Sequence, residues 1–155
     1  MGLDMYLTAR KFHTAYEKGD DGKLVEHKRK LVDGMPLQSQ EMELMYWRKN
    51  HWLHGWIVNC FANGEDNCEP IELDAVDLEQ IARKLEKWAD DPAELAPTDG
   101  FFFGVRETDD NYVEWRDEYR ADAKAEAADL RRAVEWLQED TKQREWRSVQ
   151  YQASW

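Results

Sequence analysis

The chain has 155 residues, with 33 Asp and Glu against 21 Lys and Arg, for a net charge of −12. That length suits one domain with one core, and 42% hydrophobic and 12% aromatic residues, eight of them Trp, supply the material for it. The charge argues against direct binding to nucleic acid or to an anionic membrane, and no apolar run reaches the roughly 18–20 residues of a membrane span.

The N-terminal segment alternates. Leu3, Met5, Leu7 and Ala9 point one way and Asp4, Tyr6 and Thr8 the other, which predicts a half-buried strand. Lys18-Gly19-Asp20-Asp21-Gly22-Lys23 is a turn signal, so Lys11–Glu17 and Leu24–Val32 read as a hairpin, closed by the break at Asp33-Gly34-Met35-Pro36.

Residues 39–62 carry the longest helical pattern. Met42, Met45, Tyr46, Lys49, Leu53, Trp56, Ile57 and Cys60 form an inward face, with Lys49 at its boundary. Trp47, His51, His54 and Val58 form a second face at the same spacing, and Asn63-Gly64 supplies the stop.

Ile71–Leu73 predicts a brief strand. Asp74, with Asp77 three residues on, predicts an N-cap for a helix that buries Leu78, Ile81, Ala82, Leu85 and Trp88 and ends at Asp90-Asp91-Pro92. Gly100-Phe101-Phe102-Phe103-Gly104 reads as a short buried strand or a tight aromatic loop. A last helix runs from about Asn111 to Thr141, with room for a break near Arg120. Its inner side carries Trp115, Tyr119, Ala123, Leu130, Val134 and Leu137. The alternating end from Trp146 to Ala153 predicts a strand paired with the first. Asp4, Tyr6, Tyr151 and Trp155 would then share one region. The expected class is α+β: a single domain over 1–155, with three main helices on a small antiparallel sheet that includes both termini.

The chemistry concentrates in Tyr46-Trp47-Arg48-Lys49-Asn50-His51-Trp52-Leu53-His54. Arg48 and Lys49 suit an anion or an ordinary salt bridge. Tyr46 and Trp47 offer flat faces for stacking, whereas Trp56 suits the core. Phe102, in the glycine-bounded segment, and Tyr151, on the last strand, complete the expected ligand-binding set with His51 and His54. His51 and His54 lack the spacing and the glutamate of HExxH, and a metal would need a third ligand such as Cys68 or Glu43, so no metal site is expected. No catalytic constellation, phosphate loop or dinucleotide fingerprint is present, and no cofactor is expected. Cys60 and Cys68 match no zinc or CxxC spacing. With no export signal they read as reduced thiols of a cytoplasmic protein, unless their Cα atoms come within about 7 Å.

Several pieces together resemble a family of small proteins of bacteriophages and their bacterial hosts. They are the MGLDMYL opening at Met1–Leu7, the YWRK-x-N-x-(I/L)-H-x-W stretch at Tyr46–Trp56, the GED-x-C loop at Gly64–Cys68, Gly100–Gly104, and Tyr151 with Ser154-Trp155. They fall in the family's order, but His51 stands where the family has Asn, with Asn50 one place earlier, and Lys11–Asp33 matches nothing in the pattern, so beside that family residues 11–33 read as a hairpin insertion. The motifs carry no activity. With the cationic and aromatic stretch, the resemblance implies a phage accessory protein in the host cytoplasm. It would bind a small anionic, nucleotide-like ligand and sequester a host defence signal, as a monomer or an oligomer. Two alternatives stand beside it: a small nucleotide-processing enzyme using His51 or His54, and an acidic inhibitor that binds a host nucleic-acid-binding enzyme.

Overall fold

The computed structural model describes residues 2–100 and 103–155. In chain order the elements are strands β1 (Asp4–His13), β2 (Tyr16–Lys18), β3 (Leu24–Glu26), β4 (Leu31–Val32), β5 (Met35–Pro36) and β6 (Ser39–Arg48), then helix α1 (His51–Phe61). Strand β7 (Ile71–Leu73), helix α2 (Ala75–Asp90), a 3₁₀ turn at Pro92–Glu94, helix α3 (Tyr112–Gln138) and strand β8 (Glu145–Ser154) complete the chain. Strands β6, β1, β8 and β7 form one antiparallel sheet in that order, while β2–β3 and β4–β5 are separate ribbons. The class is α+β, three helices on an antiparallel sheet that contains the strands nearest both termini.

Period two builds the two central strands. Met5, Leu7 and Ala9 of β1 lie opposite Ala153, Tyr151 and Val149 of β8, and all six are buried on the helix side. Asp4, Tyr6, Thr8 and Arg10 fall on the other face beside Ser154, Gln152, Gln150 and Ser148. Helix α2 lays Leu78, Ile81, Ala82, Leu85 and Trp88 on the core, as its periodicity predicts. Asp74 caps it through a reciprocal capping box with Asp77. Ala123 and Ala127 of α3 are fully buried, and such small side chains allow close helix packing. Arg131 spans from α3 to Glu79 and Glu86, and Arg120 donates to the Trp88 and Ala89 carbonyls at the end of α2. Trp52 sits fully buried among Trp88, Tyr112 and Tyr119, with its indole N–H on the Tyr112 hydroxyl.

The expected helix over 39–62 is instead a strand followed by a helix. A bulge at Leu44 explains the misleading period. Met42 pairs with Ala9 and Met45 with Leu7, so two inward residues of one strand stand three positions apart. Lys49, at φ 62, then turns the chain, and Asn50 caps α1 by accepting the Leu53 N–H. Tyr46 therefore faces outward, not into the core, and Trp47 is buried, not on a ligand face shared with His51 and His54.

The last helix runs without a break at Arg120. The insertion is an arm of two ribbons that reaches past residue 33. Its root is held by the Thr14 and Lys18 N–H groups on the Arg144 and Lys142 carbonyls. Of the aromatic segment, Phe103 is buried and gives its N–H to the Gly100 carbonyl, while Phe101 and Phe102 lie outside the described residues.

Candidate functional site

The helices cover one face of the sheet and leave the other open. On the open face Tyr6 and Tyr46 are cross-strand neighbours, with ring centroids 5.2 Å apart and planes tilted by 43°. The Tyr46 hydroxyl donates to Asp4 Oδ1 at 2.6 Å, and that bond raises the phenol's pKa. Arg48 stands beside the same carboxylate, its Nε 3.9 Å away and its side chain 63% exposed. Next to this pair lies a depression of about 340 Å³ floored by Tyr6, Thr8, Arg10, Gln150 and Gln152 and bounded by Glu41 and Glu43. Arg10 is engaged by Glu41 at 2.7 Å. Phe12 and Trp146, also cross-strand neighbours, stand exposed toward the arm.

A second cluster lies on the covered face. His54, on the second turn of α1, is 1% exposed. Its Nδ1 lies 2.7 Å from the Tyr151 hydroxyl and its Nε2 lies 2.9 Å from Asp66 Oδ2. An ionised carboxylate only accepts, so in the neutral ring Nε2–H donates to Asp66 and the Tyr151 hydroxyl donates to Nδ1. Burial pushes the Tyr151 hydroxyl well above its ordinary pKa. Asp66 also accepts from the Trp155 indole at 3.2 Å, and Phe103 closes edge-on over His54 and against Trp155. The space left among His54, Asp66, Cys68 and Tyr151 is about 10 Å³, room for one water molecule. Four separate segments of the chain, at His54, Asp66, Phe103 and Tyr151–Trp155, thus meet around one imidazole.

The remaining expected site residues lie elsewhere. Trp47 gives its indole N–H to Glu126 Oε1 of α3 at 2.7 Å. Lys49 holds its ammonium 6.0 Å from the Trp115 ring, and its backbone N–H bonds to the Leu3 carbonyl. His51 is buried against Trp52, with Nδ1 3.0 Å from the Thr98 carbonyl oxygen. Burial lowers its pKa, opposed by that carbonyl. Tyr119 ties α3 to the end of β6 by donating to the Arg48 carbonyl, and burial pushes its hydroxyl up to about 12.

Of the eight expected residues, the structure keeps Tyr46 and Arg48 together on the open face. It places His54 with Tyr151 on the covered face and separates Trp47, Lys49 and His51 from both; Phe102 lies outside the described residues. Asp4 and Tyr6 likewise part from Tyr151 and Trp155, because odd and even positions of paired strands face opposite ways. Thr8, Gln150 and Gln152 are absent from the sequence-based site, although the alternation of β1 and β8 already puts them on the face of Tyr6.

Cys60 and Cys68 are both free thiols. Among the described residues no three His, Cys, Asp or Glu side chains are grouped to hold a metal, and no helix is long and apolar enough to cross a membrane. Comparison of the chain with models of known families, with curated proteins and with solved structures returned no match.

Proposed function

We propose that the open sheet face binds a small, planar, anionic molecule of nucleotide type and holds it without reacting. The observation that carries this reading is the exposed Tyr6–Tyr46 pair with Arg48 at one end of a polar depression. A base stacked on a tyrosine gains about 1–3 kcal/mol. Arg48 supplies the planar fork for a phosphate at that end, away from Glu41 and Glu43. Gln150, Gln152 and Thr8 offer donors and acceptors to the edge of a ring. On the resemblance to phage proteins, such a binder serves to sequester a host signal.

The competing enzymatic reading draws on the Asp66–His54–Tyr151 chain, which has the order of an oriented general base. Both histidine rings are buried, however, and reaching His54 requires Phe103 and Trp155 to move. Calorimetric titration with mononucleotides and cyclic dinucleotides separates the readings. Binding weakened by Tyr46→Ala and Arg48→Ala, with the ligand recovered intact, supports the binder. Turnover lost in His54→Ala supports the enzyme, and no heat with any nucleotide overturns the binding reading.

A further inference from the structure

The edge strand β6 pairs only with β1, so among the described residues no strand covers its outer edge, where Tyr119 takes the Arg48 carbonyl at one end. Beside it, on the covered side of the sheet, α3 stands off far enough to leave a groove of about 350 Å³. Its lining is mostly apolar: Ala9, Met42 and Met45 from the strands, Leu130, Ala133 and Trp136 from α3. At the rim Asp129 is balanced by Arg132, while Glu43 has no cationic partner among the described residues. An open strand edge next to an apolar slot is the geometry that accepts an added strand.

The arm offers the complementary features. The β4–β5 ribbon exposes Leu31, Val32 and Met35, at 60%, 45% and 66%. They follow Lys28-Arg29-Lys30, three consecutive cations on a chain of net charge −12. Apolar side chains displayed in this way mark a contact surface. Pro36 has no N–H to give, so β4 is the strand of the ribbon that can extend a sheet. The three apolar side chains stand in solvent, so they do not fill the groove of their own chain.

We propose that the protein forms a two-fold dimer in which the β4–β5 ribbon of each copy docks along β6 of the other. Val32 enters the groove beneath Trp136, with its cross-strand neighbour Met35 on the same face, and the Lys28–Lys30 run lies toward Glu43 and the acidic body. Reciprocal exchange makes both contacts equivalent and closes the assembly at two copies. The apolar contact of the arm then lies on the face opposite the proposed ligand surface, and its cations reach Glu43 at the edge that the two faces share.

Sedimentation velocity over a range of protein concentrations tests this. The expected result is a concentration-dependent dimer that weakens as salt is raised. The exposed-arm variant Val32→Ser/Met35→Ser and, separately, the groove variant Met42→Glu each weaken association by about tenfold or more. Both keep the thermal melting of the parent's monomer, so a loss of dimer is not a loss of fold. Mixing the two variants restores one intact arm-and-groove contact and hence partial association. A monomer at every concentration overturns the proposal, and so does a dimer that survives both variants.

Discussion

Glu126→Gln should stabilise the protein above neutral pH and leave it nearly unchanged in mild acid. Glu126 lies on the sheet side of α3. Its Oε1 accepts the Trp47 indole N–H, and its Oε2 is buried without a partner among the described residues. Burial raises the carboxyl from 4.5 to about 7, partly opposed by the Trp47 bond and reinforced by the Asp122 charge. The folded state therefore holds the proton more tightly than the unfolded chain. The resulting stability is fully present below about 4.5 and is lost as pH rises through about 7. At pH 8 the ionised carboxylate costs about 3 kcal/mol, since each tenfold change in proton affinity is worth about 1.4 kcal/mol. Gln keeps an acceptor for Trp47 and carries no charge, so it removes this cost. Below about pH 4.5 the carboxyl is neutral in both states, and a neutral acid and an amide are almost equivalent. Urea unfolding of both proteins across this range, taken as a difference, cancels the pH dependence due to the rest of the charge. The difference should grow toward about 3 kcal/mol as pH rises, and at pH 8 the melting temperature should rise by about 2–4 °C per kcal/mol. A difference that stays flat across the range would refute the assignment of a buried, unpaired carboxylate.

Two further outcomes follow from close packing. A Cβ at Gly55 would lie 1.7 Å from Thr98 Oγ1 and 2.8 Å from Thr98 Cβ, so Gly55→Ala should lose about 1–3 kcal/mol despite the better helix former. Adding Thr98→Gly should recover part of the loss in thermal melts, and an unchanged melting temperature in the single variant would show that the loop does not press on α1. Tyr151→Phe removes the hydroxyl bonded to His54 Nδ1 and leaves a buried acceptor unpaired. A loss of about 1–3 kcal/mol in urea is expected, and no loss would mean the buried chain contributes nothing to the fold.

The fold is legible where local pattern and tertiary setting agree. The alternation of Leu3 to Ala9 and of Trp146 to Ala153 marks the two central strands. The Asp74–Asp77 capping pair marks the start of α2, and its periodicity marks its buried face. β6 is not legible as a strand, because one extra residue at Leu44 imitates a helical spacing between Met42 and Met45. That single imitation also misplaces the site. It sets Trp47 on a face with His51 and His54, where a left-handed turn at Lys49 in fact separates strand from helix. His54 stands out in the sequence as a ligand contact. Its partners Asp66 and Tyr151 lie 12 and 97 residues further along, at spacings that no local pattern relates to it.

The sheet's strand order has a consequence for how the molecule is assembled. β1 and β8 are its two central strands, yet they come from opposite ends of the described chain. Their pairing must wait until nearly all the residues between them are available, and closing so long a loop is entropically costly. The α2–α3 pair and the arm ribbons are built from nearer neighbours and can form early. The covered core and both sides of the sheet then appear together in a late step, so the proposed ligand surface and the His54 cluster should be lost and regained as one unit.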